Sequence, residues 1–188
     1  MNFDDAMKFM VIKHAGQKRK DGTPYVYHPM TVAALVKRAG YDEKYQIAAL
    51  LHDVLEDTDA TAEEVAQFGD DVLEAVQLLT KKDNCDEAEY LTAILKNRIA
   101  TVVKSADKIH NLWEAVSGIP GEKRDPKQKV FAEKYIIKAE QYYKGRLCEA
   151  VDDTIRNASL CCETPEYTDW KLPFSRLSGL TPYDAERR

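Results

Sequence analysis

Long apolar runs are missing from this 188-residue chain. No stretch approaches the roughly 18 residues that a membrane-crossing helix needs, so no span is expected. The first ten residues, MNFDDAMKFM, carry acids where a secretory leader carries bases, and no apolar segment follows them, so no leader is expected either. A basic surplus is missing too. The count is 27 Lys+Arg against 32 Asp+Glu, a net charge of −5, which argues against a bulk electrostatic grip on nucleic acid or on an anionic membrane. Cysteine is scarce: Cys85, Cys148, Cys161 and Cys162 contain no Cys-x-x-Cys pair, and the last two are adjacent. That is a poor start for a disulfide framework, and the economical expectation is reduced thiols in a cytoplasmic protein. No cysteine has a histidine at a useful spacing, so none is assigned chemistry.

Gly and Pro are few as well, 8 and 7 residues, and helical periodicity runs almost without interruption. Phe3, Met7, Met10 and His14 share one helical stripe. After a polar Gly/Pro-containing stretch from Gly16 to Pro29, Pro29 fits the first turn of a helix through Met30, Ala33 and Val36 that stops near Gly40. Asp42 is placed to cap the next helix, with Ile47, Leu50, Leu51 and Val54 on its apolar face. Thr61 and Glu64 have capping-box spacing. Further helices are marked by Val72 to Leu79, by Leu91 to Leu95 and by Ile99 to Trp113, although Thr101-Val102-Val103 could pass for a short strand. Ser117 to Pro126 reads as a loop, and two more helices run from about Lys127 to Lys144 and about Arg146 to Leu160. The expectation is an all-α domain over residues 1–162, with 163–188 as a C-terminal tail laid over the body or partly mobile.

The chemistry concentrates in Ala48-Ala49-Leu50-Leu51-His52-Asp53-Val54-Leu55-Glu56-Asp57-Thr58. On one continuous helix, His52, Asp53, Glu56 and Asp57 fall within roughly 140° of arc, opposite the apolar residues. Crowded carboxylates repel unless a cation compensates them. A solvated acidic face is the plain alternative, but an imidazole at the head of the cluster fits a divalent cation and its water. Imidazole and carboxylate donors suit Mn²⁺, Fe²⁺, Zn²⁺ or Co²⁺. His28, just before Pro29, and Asp107, in Lys104-Ser105-Ala106-Asp107-Lys108-Ile109-His110-Asn111-Leu112, would complete a set of two imidazoles and two carboxylates with His52 and Asp53. His14, on an apolar stripe, reads as a packed, hydrogen-bonded histidine. His110 reads as structural, and Trp113 and Trp170 as packing residues. The tyrosines from Tyr135 to Tyr143 read as a core face or a contact in a homo-oligomer.

Three segments in order, His14 to Pro29 (HAGQKRKDGTPYVYHP), Ala48 to Thr58 and Ala106 to Leu112, resemble the HD-type hydrolase domain of the RelA/SpoT family, in particular its short stand-alone small alarmone hydrolases. The resemblance spans about residues 3–115, and the synthetase and regulatory domains of long members are not expected in these 188 residues. It implies an all-α HD-domain helical bundle with a C-terminal extension. The implied reaction is hydrolysis of the 3′-pyrophosphate of guanosine tetra- and pentaphosphate with a divalent metal, usually Mn²⁺. Carried over by motif position, His28, His52, Asp53 and Asp107 match the metal ligands. Glu56 and Asp57 match the pair that positions and deprotonates the water. Arg19, Lys20 and Asn111 match nucleotide contacts, and Lys81 could also face the phosphates. The position two after Asn111, commonly Arg in the family, is Trp113. Hydrolysis of another nucleotide, such as an adenosine alarmone or NADPH, therefore stays open, as does a catalytically silent nucleotide sensor. The partner expected is a small-molecule nucleotide, with neither nucleic acid nor a membrane.

Overall fold

The computed structural model describes residues 1–20, 22–117, 126–163 and 182–183. Among these the regular elements are all helices: α1 (Phe3–Lys13), α2 (Tyr27–Arg38), α3 (Glu43–Leu51), α4 (Val54–Asp57), α5 (Ala62–Ala66), α6 (Asp70–Leu79), α7 (Glu87–Ile94), α8 (Arg98–Ser117), α9 (Pro126–Tyr142) and α10 (Glu149–Glu163). No helix among the described residues is long and apolar enough to cross a membrane. The chain divides into two compact units, Met1–Lys104 and Ser105–Arg188, with the division inside α8.

In the first unit, helix starts are written by short polar side chains that satisfy orphan N–H groups. Asn2 and Asp5 form a reciprocal capping box at α1. Thr61 and Glu64 do the same at α5, as their spacing predicted. Asp86 accepts from the N–H groups of Ala88 and Glu89 at 2.8 and 3.0 Å at α7. Asp42 occupies the N-cap position of α3 but makes no side-chain cap bond there. After α2, Gly40 takes a φ of 87°, a left-handed conformation that suits glycine beyond a helix end. Replacing Thr61 by Ala should cost about 1 kcal/mol. The expected readout is a lower urea midpoint with an unchanged denaturant slope.

Helix α3 is the centre of this unit and packs against α1, α2 and α6. From Ile47 to Leu51 five consecutive residues are buried, so its second half is covered on all sides, unlike the one-sided face expected from the sequence. Met10, Val32, Val36, Val54, Val72 and Val76 join it in the core.

The uninterrupted helix expected over Ala48–Thr58 is not what forms. Helix α3 ends at Leu51, and α4 begins at Val54. Between them Asp53 has φ −107° and ψ −2°, in the sparsely populated bridge region. A local cause is visible: His52 Nδ1 lies 2.8 Å from the Ala49 carbonyl oxygen, the acceptor that the Asp53 N–H would use in a continuing α-helix. Thr101-Val102-Val103, by contrast, is helical, inside α8.

In the second unit α9 packs against α10. Ala132, Ile136 and Ala139 make the buried stripe of α9, with Tyr143 buried just beyond its end, and Val151, Ile155 and Ala158 make that of α10. Of the expected tail, Glu163, Pro182 and Tyr183 are described, and Glu163 is the last residue of α10. Tyr183 donates its hydroxyl to Asp152 at 2.7 Å and its N–H to the Leu147 carbonyl at 3.1 Å, which ties this stretch to the start of α10. The rest of the tail after Glu163, and Gly118 to Asp125 of the expected loop, lie outside the described residues.

Candidate functional site

The break between α3 and α4 carries the site of the first unit. One carboxylate oxygen, Asp53 Oδ2, is approached by three groups. His52 Nε2 lies 2.9 Å away and His28 Nε2 3.7 Å away, and the Tyr25 hydroxyl donates to it at 2.5 Å. His28 and His52 are both buried, and their ring centroids are 5.1 Å apart. His28 arrives on the first turn of α2, next to Pro29. The Pro29 ring presets a helical φ and has no N–H to satisfy there.

The donor chemistry fits a cation. A carbonyl oxygen only accepts, so the 2.8 Å contact of His52 Nδ1 with Ala49 places the ring proton on Nδ1. A neutral ring then presents its Nε2 lone pair, the form in which histidine binds metals. Two acceptors, Nε2 and Asp53 Oδ2, at 2.9 Å require a positive charge close by, from a proton or from a metal ion.

Glu56 and Asp57 follow on α4. Glu56 Oε2 accepts from the backbone N–H of Lys81 at 2.8 Å. Although the residue lies at the surface, partial burial of its carboxyl raises its pKa, and the charges of Asp53 and Asp57 add to this. The Lys81 N–H and the Lys104 ammonium pull in the opposite direction. Asp57 Oδ2 lies 3.1 Å from the Tyr25 hydroxyl, and its carbonyl accepts from Gln17 Nε2 at 2.6 Å. The Lys81 ammonium pairs with Glu87 at 2.6 Å and lies 5.7 Å from the Tyr90 ring centroid.

Arg19 and Lys20 sit on a tight turn before α2. Here Arg19 N–H donates to Thr23 O at 2.8 Å and Gly22 N–H to Arg19 O at 2.9 Å. The turn needs Gly22 at φ 86°, where a side chain is strained. The Arg19 guanidinium carbon lies 5.8 Å from the Tyr25 ring centroid. His14 is buried, as its stripe implied, and its Nδ1 meets Gln17 Oε1 at 2.7 Å.

Asp107 and Asn111 lie in the second unit, one turn apart on α8, and Asn111 Nδ2 donates to Asp107 Oδ1. Asp107 is buried and pairs with Lys108 at 3.3 Å. His110 is buried, 3.8 Å from Glu114, with its ring edge-on to Trp113. Thus His28, His52, Asp53 and Asp57 meet around one oxygen and one phenol. Glu56 follows them on α4, and on α8 Asn111 donates to Asp107.

Tyr25 received no role from the sequence. It lay inside the quoted HAGQKRKDGTPYVYHP stretch, and its place just before His28 was the signal available. Gln17 was missed in the same way.

The family model described as "HD domain" matches residues 6–134, well over half of the chain. The chain belongs to the HD-domain family. This HD-domain chain is 39% identical over 120 residues to the guanosine-3′,5′-bis(diphosphate) 3′-pyrophosphohydrolase of Aquifex aeolicus, across 57% of its own length and 17% of that protein. It is 37% identical over 122 residues to a probable GTP pyrophosphokinase of Mycobacterium leprae, across 60% of itself and 15% of that protein. The chain therefore spans about a sixth of the length of these curated relatives. Among solved structures it is similar to a metazoan ortholog of SpoT that hydrolyses ppGpp, with a TM-score of 0.60 and 27% identity. That likeness covers 87% of this chain and 96% of the other. The RelA/SpoT resemblance and the all-α HD-domain fold read from the three motifs are borne out.

Proposed function

We propose that this HD-domain chain is a cytoplasmic, metal-dependent pyrophosphohydrolase that removes the 3′-pyrophosphate of guanosine alarmones, giving GDP or GTP. The observation that carries the chemistry is the junction of α3 and α4, where the Nε2 atoms of His52 and His28 lie 2.9 and 3.7 Å from Asp53 Oδ2. The substrate rests on the likeness to a ppGpp-hydrolysing protein whose chain is covered almost entirely. The two curated relatives carry names for opposite reactions, hydrolysis and synthesis. With only about a sixth of each protein matched, the near-complete structural likeness is the better guide.

In this reading His28, His52, Asp53 and Asp107 hold a divalent cation, Mn²⁺ first among the candidates. Asp107 enters by motif position. When bound, the cation supplies Lewis acidity to the scissile phosphoryl group and lowers the pKa of a water molecule. Glu56 and Asp57 orient that water and accept its proton as its oxygen attacks phosphorus. The bond from phosphorus to the ribose 3′-oxygen breaks, and that oxygen leaves with a proton. Arg19, Lys20 and Asn111 hold the nucleotide, a guanidinium being suited both to stack on a base and to offset phosphate charge. Residues 1–162 form the working domain and 163–188 an extension of it.

The test is a turnover panel of 3′- and 5′-phosphorylated guanosine and adenosine nucleotides with NADPH, each with Mn²⁺, Mg²⁺, Zn²⁺ and Co²⁺. The expected result is pyrophosphate release from ppGpp and pppGpp, greatest with Mn²⁺. Preference for an adenosine nucleotide or NADPH would overturn the substrate assignment. Tight ppGpp binding with no product under any cation would make the chain a sensor.

A further inference from the structure

Tyr25 joins parts of the site that the sequence treats as separate. Its hydroxyl lies 2.5 Å from Asp53 Oδ2 and 3.1 Å from Asp57 Oδ2. Its ring centroid is 4.8 Å from that of His14 and 5.8 Å from that of His28, and the Arg19 guanidinium carbon lies 5.8 Å away. One phenolic proton therefore serves two carboxylates with different proposed tasks, ligation by Asp53 and water handling by Asp57. The same ring contacts the turn that carries a proposed nucleotide contact.

We propose that Tyr25 is a positioning residue: its hydroxyl holds Asp53 and Asp57 in register with each other, and its ring couples the Arg19 turn to them. The inference deepens the proposed function and rests on it.

Physical reasons favour a working hydroxyl over simple packing. The contacts with His14, His28 and Arg19 use the ring alone, so phenylalanine would satisfy them. Asp53 is the N-cap residue before the four-residue α4, and Asp57 is the last residue of α4. They repel each other, and a donor shared between them offsets that repulsion while restricting both side chains. An ordinary phenol ionises only near pH 10, so at neutral pH the hydroxyl is a donor. Gln17 adds to the same bracing: it meets His14 Nδ1 with its Oε1 and donates its Nε2 to the Asp57 carbonyl.

The experiment compares Tyr25→Phe and Tyr25→Leu with the parent in the full chain. Three quantities are read: Mn²⁺ affinity by calorimetry, steady-state hydrolysis of ppGpp, and thermal midpoint without metal. Partners that orient a ligand are typically worth about 10–100-fold in metal affinity or activity. Tyr25→Phe should therefore weaken Mn²⁺ binding by about tenfold or more and lower kcat at saturating Mn²⁺ by about tenfold or more. Its KM should stay within about threefold, because the ring beside Arg19 remains. Tyr25→Leu should lower kcat similarly and raise KM as well. Parent-like Mn²⁺ affinity and kcat in Tyr25→Phe would overturn the inference. So would a drop confined to the metal-free thermal midpoint, which marks a structural role. Failure of the parent to bind Mn²⁺ or to hydrolyse ppGpp would remove the proposed function, and this inference with it. A Tyr25→Phe result equal to a functional parent removes the inference alone.

Discussion

Asp107→Ala is expected to lose stability and metal together, for two separable reasons. Lys108 Nζ lies 3.3 Å from Asp107 Oδ2, and the two side chains are only 11% and 6% exposed. Burial works against the ammonium charge. The Asp107 carboxylate, followed by Tyr135 and Tyr143, outweighs that and leaves the Lys108 pKa well above its ordinary value. Removing the carboxylate leaves a buried cation without its counter-charge, a change that costs about 3–5 kcal/mol. Because the shift is upward, the pair contributes from neutral pH up to the ordinary lysine value of 10.5, and the contribution fades only as pH climbs through the raised value. The second loss is that of a proposed ligand, which should exceed the roughly 10–100-fold that outer-shell changes cause in metal affinity. Asp107→Ala combined with Lys108→Met separates the two. Urea denaturation of the metal-free double variant should recover most of the lost stability, while Mn²⁺ titration should remain poor. A single variant that binds Mn²⁺ as the parent does would take Asp107 out of the ligand set. A double variant as unstable as the single one would clear Lys108 as the cause.

The helices were readable where apolar period and end signals agreed. Thr61 with Glu64 announced α5, Val72 to Leu79 traced the buried stripe of α6, and Gly40 marked the end of α2. The break at His52–Asp53 was not readable. Ala48 to Thr58 contains neither Gly nor Pro, and its local propensities favour continuing the helix. What competes is one side-chain bond, His52 Nδ1 to the Ala49 carbonyl, formed inside a segment buried on all sides. Tertiary context overrode local preference there, at the place where the chemistry sits.

The candidate site was legible as residue types and unreadable as geometry. His28, His52 and Asp53 could be singled out because imidazoles and carboxylates at those places suit a cation better than they suit a core. Their meeting at one oxygen depends on the α3–α4 break and on α2 packing against α3, neither of which spacing encodes. Tyr25 stayed hidden because tyrosine is ordinary in a packed turn. Only its two carboxylate partners set it apart.

Glu56→Gln should leave the fold and the metal in place and cost turnover. Glutamine keeps an acceptor oxygen for the Lys81 N–H, so the 2.8 Å contact that anchors α4 to the end of α6 survives. Burial, then Asp53 and Asp57, already disfavour the charge on Glu56, so neutralising it relieves repulsion and should leave the thermal midpoint unchanged or raised. What is lost is a carboxylate that takes a proton. General-base groups contribute roughly 10²–10⁴-fold, so kcat should fall by at least about 10² while Mn²⁺ affinity stays near that of the parent. Asp57→Asn serves as the comparison. Its oxygen still accepts from Tyr25, so a fall of similar size there, with metal retained, would mean the pair shares the proton. A large fall in only one variant would name the base. Near-parent turnover in both would mean that the water is activated by other groups and that the role assigned to α4 is wrong.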